Sequence, residues 1–166
     1  MNLKYKKLTV LALSVSLAMI LSFVESLIPP LTMVPGVKIG LANIVTVFLL
    51  YTLGIRAAGA VSLVRVLLSA LLFGNVQSLI FSLSGAALSF VVMIVAKRFL
   101  PFGTVGVSVL GAVAHNAGQI VAAVIVMETI GVAYYFIPLV VSGTLGGVFV
   151  GLLAAVITKR LEKIIK

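Results

Sequence analysis

Apolar residues dominate six long stretches of this chain: Leu8–Ile28, Ile39–Leu53, Ala57–Phe73, Ser78–Ala96, Thr104–Met127 and Tyr135–Ile157. A helix needs about 20 mostly apolar residues to cross the hydrocarbon core of a bilayer. The pattern therefore predicts six transmembrane helices, that is, an all-α polytopic membrane protein. The second and third stretches are short; they cross with little tilt or sit partly below the surface. Helix breakers fall between the stretches: Pro29-Pro30 and Pro35-Gly36, Gly54, Gly74-Asn75, Pro101 with Gly103, and Gly131. No soluble domain, linker or low-complexity segment is left over, so residues 1–166 read as a single six-helix transmembrane domain.

Composition agrees with the pattern. Of the 166 residues 63% are apolar and 9% charged, where a soluble domain would be about half apolar and about a quarter charged. Mean hydropathy is +1.37. The net charge of +9 is carried by residues scattered between apolar runs, which points to cytoplasmic loops rather than to nucleic acid. With the N-terminus inside, Lys4, Lys6, Lys7, Arg56, Lys97, Arg98, Lys159, Arg160, Lys163 and Lys166 all fall on the cytoplasmic side. Outside there is only Lys38, while Arg65 lies within a span. Such a bias places both termini in the cytoplasm. Tyr134, Tyr135 and Phe136 form an aromatic group at the outer boundary. The basic start followed by an apolar run resembles a signal peptide. Its length, and the lack of a small-x-small site at the proper distance, favour a retained first helix.

Polar residues at depth are the informative ones, because each is costly unless it faces protein, water or ligand. Arg65 lies eight residues into its span, about 12 Å above the inner boundary at 1.5 Å per residue. His115 lies at about 16 Å by the same arithmetic. His115 and Gln119 share a helix face with Gly111 and Ala122, and Asn116 is rotated by about 100°. Asn43 reaches a similar level from the second span, Glu25 stands near the outer end of the first, and Lys38 stands at the mouth of the second. Together they predict a polar cavity opening outward. Arg65 there suggests either a reaching partner such as Glu25 or an anionic ligand, since a guanidinium binds two oxygens of a carboxylate or phosphate at once. Asn43 or Gln119 alone would serve equally well as glue between helices.

Small residues recur every four positions on the first span (Ser14, Ala18, Ser22, Ser26, with Ala12 and Ser16 beside them) and on the sixth (Gly143, Gly147, Gly151, with Gly146 beside them). Such stripes let helices approach closely. On the sixth they read as packing within the bundle; on the first, a docking surface for another membrane protein competes with packing. The chemistry that is absent narrows the function. There is no Walker loop, no HExxH, no Cys and no Asp. The chain is expected to be no enzyme, and no metal or cofactor is predicted.

Three motifs in order, Pro35-Gly-Val-Lys-Ile-Gly-Leu-Ala-Asn43, Leu63-Val-Arg-Val-Leu-Leu-Ser69 leading into Leu72-Phe-Gly74, and Ala114-His-Asn-Ala-Gly-Gln119, resemble the Gx transporter family. That family is also catalogued as heptaprenyl diphosphate synthase component I. Its members look like the substrate-binding S components of energy-coupling factor (ECF) transporters. The resemblance implies capture of a small, anionic solute from outside and partnership with a transmembrane coupling protein and two ATPases, in the cell membrane of a bacterium. The polar residues themselves mark Arg65, His115, Asn116, Gln119 and Asn43 as the expected partners of the solute's polar groups, with Lys38 and Glu25 at the entrance and the Pro- and Gly-rich loop Pro29–Gly40 as the gate. S components often carry an Ala-x-x-x-Ala docking surface on the first helix. Here the matching places read Ala12-x-x-x-Ser16 and Ser14-x-x-x-Ala18. The synthase label implies an alternative, an accessory membrane subunit binding an isoprenoid precursor. Diphosphate chemistry itself needs carboxylates to hold magnesium, and a chain without Asp is poorly equipped for it.

Overall fold

A computed structural model describes residues 3–27 and 40–165. They form six α-helices: α1 (Leu3–Leu27), α2 (Asn43–Thr52), α3 (Ile55–Phe73), α4 (Val76–Phe99), α5 (Thr104–Met127) and α6 (Phe136–Ile165). A 3-10 turn, Ile130–Tyr135, leads into α6. Five of these helices are long and apolar enough to cross a membrane, and α2 is the short exception. Leu13, Leu71, Ile125 and Leu145 are among many large apolar side chains left exposed. Water would not tolerate a surface so continuously apolar, whereas lipid matches it.

Helix α2 explains the plan of the bundle. Its 10 residues span about 15 Å, half of a hydrocarbon core of about 30 Å. Every residue from Ile44 to Leu50 is buried, as expected of a helix apolar on all sides. Around it α3 packs against α1 and α4, α5 lies between α4 and α6, and α2 touches α1, α3, α5 and α6. Val47, Leu49 and Leu50 join Val61, Met93, Val107 and Val150 in the central apolar cluster. The second apolar stretch thus becomes a buried half-helix, and Gly40 at its expected start is not helical. At its other end Gly54, at φ +89°, takes a left-handed turn that favours glycine, and its N–H bonds the Leu49 carbonyl. Lys97 of α4 donates to the Leu50 carbonyl at 2.6 Å and lies 4.6 Å from the centre of the Tyr51 ring.

Close helix approach rests on glycine. A Cβ at Gly147 would stand 2.7 Å from Val109 Cα, and one at Gly151 would stand 2.7 Å from Val105 Cα. The stripe on α6 therefore packs inside the bundle against α5. The stripe on α1 divides. Ser14 and Ala18 are 6% and 1% exposed, while Ala12 and Ser16 face outward. Two residues of helix rotate a side chain by about 200°, so the two pairs lie on opposite faces. Ser14 and Ala18 thus turn into the bundle, and Ala12 and Ser16 turn away from it.

Candidate functional site

At one end of the bundle the helices part around a cavity of about 380 Å³, within the range of about 300–1,000 Å³ usual for small-molecule sites. Its wall is built from the last turns of α1, the start of α2, the second half of α3, the first turns of α4 and the middle of α5, with Gly143 of α6. Of the 19 lining residues, 12 carry polar side chains; few natural cavities inside an apolar bundle are so polar without a purpose, given the cost of each such group at depth.

Six of the seven expected binding residues meet on this wall: Glu25, Asn43, Arg65, His115, Asn116 and Gln119. Lys38, and the loop expected to act as a gate except for Gly40, lie outside the described residues. Local structure accounts for the convergence. Gly85 of α4 faces α5 where a Cβ would stand 2.9 Å from Gln119 Cγ and 3.0 Å from His115 Cε1; Gly118 returns the fit, with Ser84 O only 2.7 Å from its would-be Cβ. These two glycines bring the serines of α4 alongside the imidazole and carboxamide of α5. Asn116 has a different environment. It is 4% exposed, its Nδ2 donates to the Leu139 carbonyl at 2.7 Å, and the bare Gly143 leaves room for it. Asn116 thus ties α5 to α6, and its donor is committed to protein.

Arg65 occupies the opposite wall. Its Nε is buried and has no hydrogen-bond partner among the described residues. The field of Glu25 reaches it, while Glu25 itself accepts a hydrogen bond from the backbone N–H of Gly40. Ser22, three residues before Glu25 on the same helix, also lines the cavity with a buried Oγ that has no hydrogen-bond partner among the described residues. Helices α2 and α4 both begin at this wall, and the positive ends of their dipoles favour negative charge nearby. The α4 end is capped by Asn75, whose Oδ1 accepts from Ser78 N at 2.8 Å, while the Asn75 N–H donates to Ser78 Oγ at 2.9 Å.

Several wall residues escaped sequence reasoning: Ser69, Ser78, Ser82, Asn75 and Phe73. The Asn-x-x-Ser spacing after Gly74 was the available signal, since it marks a capped helix start. No group of three His, Cys, Asp or Glu side chains comes together among the described residues.

The sequence matches the family model described as heptaprenyl diphosphate synthase component I over residues 14–157. The chain belongs to that family. The match runs from within α1 to within α6 and takes in every lining residue of the cavity. No curated protein and no solved structure matches the chain.

Proposed function

We propose that this member of the heptaprenyl diphosphate synthase component I family is not an enzyme but a substrate-binding membrane subunit, akin to the S component of an ECF transporter. It would capture a small water-soluble solute bearing an anionic group for ATP-dependent uptake by separate coupling and ATPase subunits. The observation that carries this reading is the buried Nε of Arg65, without a hydrogen-bond partner among the described residues, on the wall of a polar cavity. A guanidinium so placed suits the two oxygens of a carboxylate or phosphate. His115, Gln119 and Asn43 would meet the rest of the solute. Beyond the cavity lies the apolar cluster around Val47, Leu49 and Leu50, which favours capture over free diffusion. In this reading both termini are cytoplasmic, the cavity faces outward, and the membrane is the bacterial cell membrane.

The wording of the family description suggests a second reading, an accessory subunit of polyprenyl diphosphate synthesis binding an isoprenoid precursor. The wall supports the first reading better. Its largely polar lining suits a water-soluble solute better than an apolar isoprenoid tail. Affinity purification from native membranes separates the two. Recovery of ATPases with a transmembrane coupling protein supports uptake; recovery of a soluble prenyltransferase supports the alternative. Solute movement by the reconstituted chain alone, without ATP, would overturn both in favour of a facilitator.

A further inference from the structure

The hydroxyl groups of α1 do not all behave alike. Thr9, Ser16 and Ser26 donate to carbonyls of their own helix, those of Tyr5, Ala12 and Phe23, at 3.0, 3.1 and 2.7 Å. That is the usual way for a hydroxyl to satisfy itself on a helix. Ser22 does not follow it. It is 5% exposed, it lines the cavity, and its Oγ has no hydrogen-bond partner among the described residues. On the neighbouring α3 the Nε of Arg65 is buried in the same state on the same wall. Glu25 and His115 are already engaged: Glu25 accepts the Gly40 N–H and has a further interaction, and His115 has an interaction of its own. At Ser22 and Arg65, by contrast, a buried donor is left over, and a buried donor without an acceptor is costly.

The two residues stand on helices that are loosely joined. Among the described helices α1 packs against only α2 and α3. The described residues buried on α1, Ser14, Ala18, Ser22 and Glu25, include no large apolar side chain. Toward α3 the helix offers the Phe23 ring, 5.6 Å from that of Phe73, and the Met19 sulfur, 3.7 Å from the Ser69 hydroxyl. A thioether is a weak acceptor. Both pairs set α1 and α3 parallel, so Ser22 lies level with Leu72, seven residues beyond Arg65 and about 10 Å along the helix from it. The long arginine side chain covers most of that height, and the field of Glu25 reaches its guanidinium. The gap that remains suits a small acceptor group, and an oxyanion has more than one oxygen to bridge it.

We propose that the oxyanion of the captured solute bonds the Arg65 guanidinium and the Ser22 hydroxyl together, and so fastens the cavity half of α1 to α3. This deepens the capture reading and rests on it: Ser22 becomes a second binding residue, and α1 seats firmly only when the cavity is filled. Empty, α1 is held to α3 by ring and sulfur contacts; filled, it gains charge-assisted hydrogen bonds, which are roughly twice as strong as neutral ones.

The test uses acetate and inorganic phosphate as probes, at ionic strength matched with chloride, on the purified full chain as wild type, Arg65→Gln and Ser22→Ala. Expected is a rise in melting temperature with at least one of the two anions, and which one does so separates a carboxylate from a phosphate. Its half-saturating concentration should increase by about tenfold in either variant, as for a lost hydrogen bond to a charged group. A second readout follows the helix. The chain has no cysteine, so spin labels can be placed at Val24→Cys and Leu72→Cys, both exposed and outside the cavity lining. Their distance distribution should narrow with the stabilising anion and stay broad in Ser22→Ala. Unchanged anion affinity in Ser22→Ala, or a distribution indifferent to the bound anion, would overturn the bridge and leave capture by Arg65 standing. Stabilisation by neither anion, or equal stabilisation of Arg65→Gln, would overturn both.

Discussion

Arg65 is placed where a guanidinium is expensive, at about 2.5–3.5 kcal/mol on insertion scales near the bilayer centre. A typical interhelical hydrogen bond in a membrane returns about 0.6 kcal/mol, and the Nε of Arg65 makes none with the described residues. Arg65→Ala should therefore lower solute affinity by at least about tenfold while the protein still inserts, purifies and unfolds at an unchanged or higher temperature. A binding titration beside a thermal melt checks both halves. Asn116→Ala should behave in the opposite way, lowering the melting temperature through loss of the bond to Leu139 and changing affinity less than Arg65→Ala. The residues legible in the sequence were those that lipid penalises. Arg, His, Asn, Gln and Glu within apolar runs stand out because each needs a reason to be there, and six of them share one wall. The serines were not legible. A serine hydroxyl can bond a carbonyl of its own helix one turn back, so Ser69, Ser78 and Ser82 carry no penalty that would reveal what they face.

At the level of elements, the sequence marks helices well and their neighbours poorly. The fifth span was read at its observed limits, Thr104–Met127, between the breakers Pro101 with Gly103 and Gly131. For α2 the short run was legible, but an all-apolar helix looks the same whether lipid or protein surrounds it, so its burial was not. The small residues of α1 show the same limit: Ser14 and Ala18 turn inward and Ala12 and Ser16 outward, a division visible in helical angle but not in residue type. Gly147→Ala should disrupt the α5–α6 contact, since its Cβ would meet the Val109 backbone at 2.7 Å, which no rotamer change relieves. Overpacking of this kind costs about 1–3 kcal/mol, read as a lower melting temperature. Lys97→Met should cost about 1 kcal/mol by releasing the Leu50 carbonyl at the end of α2, with solute affinity retained.

For the whole molecule, cavity and charge lie at opposite ends. The Glu25, Asn43 and Asn75 end opens into the cavity, whereas Arg56, Arg98, Lys159 and Arg160 are exposed toward the other. On the proposed orientation, which follows the positive-inside bias, that second end faces the cytoplasm. Because the chain has no cysteine, single substitutions give a clean test. A cysteine at Tyr134, 81% exposed beyond the cavity end, should react with a membrane-impermeant maleimide on intact cells. One at Lys159 should react only after permeabilisation, and the reverse pattern would invert the bundle. The central claim is that a water-soluble molecule is gripped between Arg65 and the α5 carboxamide row. Native mass spectrometry of gently purified protein tests it most directly. The account predicts a bound small molecule on wild type that is absent from Arg65→Ala; an identical adduct on both, or a retained isoprenoid in its place, would contradict it.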